Sequence, residues 1–361
     1  MRPDAADSVR VQPDQTRPDR TRPGQTHPDR THPDRARPDE VIRHGRSLLQ
    51  HGPLNDRVYL MKLDESDLPG LPGLSGLPGT TSIIDRMEEL AARHGYTRLF
   101  ARVPEHAAHR FLARGFAVEA CVPGMCRGRT AGCFMGRHLW DARAVPRRPG
   151  LLCEVLALAN ARRAGLEQGT ACARHRSQPS DATSGTQEIE PKPKTGRVIE
   201  LNPDHAPALA RLYAATFATY PFPVHDPAYL ARSMAEGVLF HGIADGDDLP
   251  GNDSGPTGKG DLLAAASAEV DMAWRCAEMT DFATRPEARG RGAALRLLRH
   301  MEDRVRRMGI LTAYTIARAE SHAMNVVFAR AGYTLAGTLH NNTNIGGGLE
   351  SMNVWYRPLH E

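Results

Sequence analysis

The segment that most constrains this chain is Arg289-Gly290-Arg291-Gly292-Ala293-Ala294. An apolar stretch at 279–283 precedes it, and behind it Ala294, Leu297, Leu298, Met301, Val305 and Met308 recur on one face of a helix. The order is strand, glycine turn, helix N-terminus. Glycines at 290 and 292 let backbone N–H groups approach an anion, and the dipole of the following helix favours negative charge, so a pyrophosphate would sit well there. A plain strand-to-helix turn is the alternative. A P-loop is not, because no Gly-Lys-Ser/Thr follows, and a dinucleotide fold would carry its turn after the first strand of the domain.

The rest of the chain divides by composition. Residues 1–40 hold almost no large apolar side chains, and Pro recurs at 13, 18, 23, 28, 33 and 38. That segment cannot bury enough surface to offset chain entropy and is expected to be a disordered, solvated tail. Its eight Arg meet seven Asp and Glu40, which argues against a basic arm for nucleic acid. Residues 41–145 read as a small α/β domain, with a strand at 56–63, a Gly/Pro-rich loop at 69–79 and a helix over Ile83–His94 capped by Gly95. Residues 146–196 read as a short apolar helix near 151–161 and a Pro-, Ser- and Thr-rich linker, and 197–361 as the catalytic domain.

The first globular segment echoes the second. Arg93-His94-Gly95, Leu99-Phe100-Ala101 and Phe111-Leu112-Ala113-Arg114-Gly115-Phe116 parallel Arg307-Met308-Gly309, Tyr314-Thr315-Ile316 and Phe328-Ala329-Arg330-Ala331-Gly332-Tyr333. Duplication and the common rhythm of α/β units both account for this. If it is duplication, the first copy has lost the glycine turn.

A net charge of +4 from 46 Lys+Arg against 42 Asp+Glu is too small for a nucleic-acid surface, so a small-molecule partner is expected. No window spans a bilayer and the N-terminus lacks an apolar core, so a cytoplasmic protein with no membrane partner is expected. The six Cys show no C-x₂-C spacing and the sixteen His no metal pattern, so no metal is expected.

The glycine turn resembles the coenzyme A loop of the GNAT acetyltransferase superfamily, Arg/Gln-x-x-Gly-x-Gly/Ala, at Arg289, Gly292 and Ala294. A strand at 311–317 and then Asn325 to Tyr333 resemble the superfamily's second motif. The resemblance implies acetyl-CoA as co-substrate, held by Phe282, Ala283, Thr284, Arg289, Gly290, Arg291, Gly292, Ala293, Ala294 and Asn325. It implies an α/β fold: a mixed, mostly antiparallel sheet flanked by helices, preceded by a smaller related α/β half. Many members carry a proton-donating Tyr where this chain has Phe328. Tyr220-Pro221-Phe222-Pro223, the run 277–284, the run 341–356 and His51 to Leu63 resemble β-lysine N-acetyltransferases more closely. That implies acetylation of the ε-amino group of β-lysine to give a compatible solute for osmoprotection. Another small amine, a protein amino terminus, or acyl-CoA binding without turnover are the alternatives.

An alkylammonium must lose a proton before it attacks a thioester, so a base is needed at pH 7. Glu278 is the first candidate and Asp281 the second. Strand alternation places Glu278 with Thr280 and Asp281 with Met279, on opposite faces. β-Lysine carries two ammonium groups and one carboxylate, and Glu350, Asn341, Asn342, Asn344 and Asn353 could supply polar partners around a bend at Gly346-Gly347-Gly348. A surface hairpin is the alternative. Tyr220 and Phe222, fixed by two prolines, could wall the aliphatic stem.

Overall fold

The computed structural model describes residues 39–68, 81–174, 196–244 and 261–360. The expected tail to residue 38, the loop at 69–79 and the linker from 175 lie outside them.

In the first half the elements are β1 (Glu40–His44), β2 (Ser47–Gly52), β3 (Arg57–Lys62), α1 (Ile83–His94), β4 (Arg98–Pro104), α2 (Glu105–Leu112), β5 (Ala117–Cys126), β6 (Thr130–His138) and α3 (Pro149–Arg174). Helix α1 has the expected bounds. Ile84, Met87, Leu90 and Ala91 are buried at helical spacing, the Ser82 hydroxyl accepts from the amide of Asp85, and Gly95 ends the helix at φ +69°. The backbone of α3 runs well past 161. The apolar face gives out there, but no proline interrupts the chain before Pro179. Asp39 and Glu40, read as tail, belong to the fold: Glu40 opens β1, and the Asp39 carboxylate accepts from the Leu54 amide at 3.1 Å and from Asn55 Nδ2 at 2.6 Å.

The second half adds β7 (Val198–Glu200), α4 (Ala206–Thr216), α5 (Pro227–Ala235), β8 (Leu239–Ala244), β9 (Leu262–Asp271), β10 (Cys276–Thr284), α6 (Ala293–Arg307), β11 (Thr312–Arg318), α7 (His322–Arg330), β12 (Thr334–Ile345) and β13 (Gly348–Pro358). All strands join one 13-stranded sheet in the order β1-β2-β3-β4-β6-β5-β12-β13-β11-β10-β9-β8-β7. The ladders β3–β4 and β10–β11 are parallel and the others antiparallel. Each parallel pair is joined across a helix, α1 or α6, as parallel neighbours require.

The two halves repeat one connectivity. Reading outward from the centre, β5-β6-β4-β3-β2 on one side answers β12-β13-β11-β10-β9 on the other. They meet where Gly337 of β12 faces Ala120 of β5. Gly337 has φ +154°, and a Cβ there would lie 2.1 Å from the carbonyl oxygen of Glu119, so only glycine lets the strands approach. Across this seam Phe100, Val122 and Phe134 share a core with Tyr314, Leu339 and Val354.

Residues 341–344, expected as a polar bend against substrate, instead form the end of β12 and stitch the halves together. Asn341 Nδ2 donates to the carbonyls of Arg143 and Val145 at 2.8 Å each. Asn342 Oδ1 accepts from Arg98 Nε at 3.0 Å, and Asn344 Nδ2 donates to the Leu54 carbonyl at 2.9 Å. A positive φ of 43° at Asn341 marks the bulge that turns these amides across the seam. The hairpin turn itself is Gly346-Gly347, at φ +65° and +92°, and Gly348 already lies in β13.

Candidate active site

The sheet opens where the glycine turn was expected. Pairing of β10 with β11 covers only Cys276 to Glu278 against Thr312 to Tyr314, and beyond Glu278 the strands separate. The chain leaves β10 through exposed Arg289, Gly290, Arg291 and Gly292 into α6, whose Ala293 and Ala294 are half-buried. Gly290 and Gly292 have φ +76° and +77°, and a Cβ on either would meet no atom within 4 Å, so left-handed backbone rather than crowding by the chain requires glycine here. No side chain caps α6 and its first turn holds no acid. Its leading amides therefore face outward beside two arginines, a donor set that fits a pyrophosphate. At the related position of the first half, Ser82 closes the end of α1 and Asp85 adds a negative charge to its first turn.

Phe282 lines a cavity beside the opening and meets Phe328 edge-on, with ring centroids 5.5 Å apart. Ala283 is buried, and Thr284 stays in the ladder opposite Ala264. Asn325 differs from expectation. Its amide donates to the carbonyls of Arg318 (3.0 Å) and Ser321 (2.7 Å), and its oxygen accepts from Asn353 Nδ2 and Trp355 Nε1, both at 2.9 Å. With those bonds made, Asn325 and Asn353 are committed to holding α7 on β13 and do not line the cavity.

The cavity holds about 230 Å³ and lies between the halves. Tyr220 and Phe222 line it, together with Phe217, Tyr59 and Phe100. Of the polar residues proposed for the acceptor, only Asn342 borders it. Glu350 is spent on Arg318, which donates to it at 2.9 and 2.6 Å, and Asn341 and Asn344 are spent on the seam.

Both candidate carboxylates reach the cavity, against the simple alternation. The β9–β10 register shifts between Thr280 and Ala283, and Asp281 adopts φ +56°. This bulge turns Asp281 to the side of Glu278, while Met279 stays in the core. Ser267 donates to Asp281 at 2.5 Å and Tyr220 donates through its hydroxyl. Burial raises the Asp281 carboxyl, and these hydrogen bonds oppose the rise. Glu278 is pushed up to about 7 by burial, partly countered by the Arg102 charge and a hydrogen bond with Tyr314. Tyr314 in turn accepts from Arg102 Nη1 at 2.8 Å.

Sequence reasoning missed four residues here. Glu269 stands opposite Glu278 across the β9–β10 ladder and lines the cavity. Surrounding protein and the charges of Glu278 and Asp281 push its carboxyl upward, although its exposure to the cavity water screens that rise. It is the sole acid in the alanine-rich run 262–270, and pairing that run with 276–280 would have found it. Gln50, Arg57 and Arg102 come from the first half; Arg57 lies in the run His51 to Leu63 but nothing in that run sets it apart, and no local motif marks the other two.

Residues 214–333 match the acetyltransferase (GNAT) family. The chain carries a GNAT acetyltransferase domain. The relatives it resembles include the beta-lysine N(6)-acetyltransferase of Methanococcus maripaludis, 28% identical over 321 residues, which are 88% of this chain and 98% of that protein. The enzyme of the same name from Methanosarcina mazei is 36% identical over 154 residues, 43% of this chain and 52% of its own. The N-acetyltransferase YodP of Bacillus subtilis is 36% identical over 151 residues, 42% and 50% of the two chains. The protein is thus an acetyl-CoA-dependent N-acetyltransferase. Its GNAT domain supplies the opened strands and the bare helix end, and the first half closes the cavity from the other side. Among the described residues no helix is long and apolar enough to cross a membrane, and no group of His, Cys, Asp and Glu has the makings of a metal site.

Proposed function

We propose that this enzyme acetylates the ε-amino group of β-lysine in the cytoplasm, making a compatible solute. The observation that carries the reading is Glu278, a carboxylate with an upward-shifted pKa in an acid-lined cavity beside the open helix end. The two relatives named for β-lysine support the acceptor. Residues 41–145 and 197–361 would be two domains joined by 146–196, with both contributing to the cavity.

When bound, acetyl-CoA supplies an acetyl group activated as a thioester. The amides of Gly290 to Ala294 and the side chains of Arg289 and Arg291 hold its pyrophosphate, with Phe282 to Thr284 alongside its arm. Tyr220 and Phe222 pack the aliphatic stem of the acceptor. Glu278, ionised and held by Tyr314, takes one proton from the ε-ammonium, which frees the nitrogen lone pair. The new carbon–nitrogen bond forms as the carbon–sulfur bond breaks. Phe328 has no proton to offer the sulfur, but a thiol of pKa ~8.5 leaves readily as its anion and takes up the second proton, which the acylated nitrogen sheds, while Glu278 passes the first to solvent. Asp281, already accepting from Ser267 and Tyr220, is the poorer base. With Glu269 it makes a negative field for the ammonium that is not acetylated.

Thiol release measured with acetyl-CoA and a panel of amines tests the acceptor. β-Lysine should exceed α-lysine in kcat/KM, and equal turnover of the two would overturn the assignment.

A further inference from the structure

The first half brings to the cavity a buried cation that, among the described residues, no carboxylate pairs with. Arg57 is 4% exposed and lines the cavity. Its Nη1 donates to the Asn342 carbonyl at 2.6 Å and to Thr343 Oγ1 at 3.2 Å, and Nη2 reaches Gln50 Oε1 at 3.5 Å. All three partners are neutral. Among the described residues no carboxylate lies within 4 Å of this guanidinium, and Asp39 acts on it only through space while bonded to Leu54 and Asn55. The other buried arginines differ, Arg98 pairing with Glu119 and Arg143 with Asp56, and half-buried Arg102 pairs with Asp271. Arg57 Nε and Gln50 Nε2 also lack a hydrogen-bond partner, although Gln50 is only 1% exposed.

Leaving a buried guanidinium without a counter-ion and a buried amide donor without an acceptor is costly, and a fold tolerates both where a ligand completes them. The aromatic faces of Tyr59 and Phe100, 5.1 and 5.5 Å from Arg57 Cζ, ease the charge in the meantime. The part of the lining from β9 and β10 carries Glu269, Glu278 and Asp281. The cavity is thus polarised, cationic on the wall from the first half and anionic on β9 and β10.

We infer that Arg57 and Gln50 form a carboxylate subsite, so that the acceptor is an amino acid bearing a carboxylate at one end and the reacting amine at the other. A bare diamine or polyamine would leave the subsite empty. The inference rests on the reading that a small amine is acetylated in this cavity, and it does not require that amine to be β-lysine. It also gives the first half a role in substrate choice rather than in coenzyme binding.

The test compares α-lysine with 1,5-diaminopentane and β-lysine with 1,4-diaminobutane, each diamine having the amine spacing of its amino acid and no carboxylate. The wild-type enzyme should prefer the better lysine isomer over its matched diamine by about 10- to 100-fold in kcat/KM, the usual worth of a charged hydrogen-bonded contact. In Arg57→Gln that preference should collapse to within a few-fold, through KM for the amino acid, while KM for acetyl-CoA stays put. General damage to the fold would lower both acceptors equally. Should Arg57→Gln not fold, Gln50→Leu should shrink the preference in the same direction. A wild-type enzyme that takes the matched diamine as well as the better lysine isomer overturns the subsite, as does a preference unmoved in these variants. Preference for α-lysine over β-lysine would overturn the proposed acceptor and leave the subsite standing.

Discussion

Replacing Glu278 with Gln keeps its shape and removes its charge, and the structure sets the size of the effect. In the wild type the reactive pair is ionised Glu278 with the acceptor's ammonium. With the carboxyl pushed up to about 7, its ionised share grows from ~9% at pH 6 to ~91% at pH 8. Wild-type kcat/KM should therefore climb about tenfold over that range and then level off. In the variant only amine that is already neutral can react. For a lysine-type amine of pKa ~10.4 that is ~4 × 10⁻⁴ of the total at pH 7 and ~4% at pH 9. The deficit should be on the order of 10³ at pH 7 and shrink to about 25-fold at pH 9. Thiol release followed at saturating acetyl-CoA from pH 6 to 9 reads this directly. Stability provides the control. A carboxyl whose folded pKa lies above its unfolded value stabilises the fold at low pH, and that contribution is lost as pH rises through the folded pKa. Glu278→Gln should accordingly match or exceed the wild-type Tm above pH 7. A loss of activity of constant size across the pH range would mean that Glu278 positions groups rather than moving a proton. Wild-type activity throughout would pass the role of base to Asp281 or to a water chain.

Other residues give separate checks. Gly292→Val forces a branched residue into φ +77° at the helix end and should raise KM for acetyl-CoA about tenfold or more with kcat less affected; an unchanged KM removes the turn from the coenzyme site. Gly337→Ala sets a Cβ 2.1 Å from a backbone oxygen that cannot step aside, and should cost ~1–3 kcal/mol in a denaturant titration. Removing residues 1–38 should leave Tm and turnover near wild type, whereas Asp39→Ala strips acceptors from Leu54 and Asn55 and should cost ~1–3 kcal/mol; equal effects would refute that division.

Local pattern was legible in the sequence. Helix α1 was readable to the residue because its cap, apolar spacing and terminal glycine all lie within one short window. The glycine turn before α6 was readable for the same reason. What escaped depends on pairing between distant segments. The bulge at Asp281 arises from how β10 registers on β9, so alternation along β10 alone put Asp281 on the wrong face. The asparagines at 341, 342 and 344 have the composition of a surface bend, and only the arrival of Arg98, Leu54 and Arg143, 198 to 290 residues away, makes them buried links. Arg57 reads as one residue of an ordinary strand until the second half closes over it.

The cavity between the halves has walls from two structural units that one polypeptide carries. Gln50 and Arg57 come from one, and Glu269, Glu278 and Tyr220 from the other. A covalent tether makes their meeting a first-order event, governed by an effective local concentration rather than by how much enzyme is in solution. Specific activity should hold steady on dilution as far as these two units are concerned. Cut into separate chains, the same units would have to find each other, and activity would then rise with the product of their concentrations until the seam is saturated.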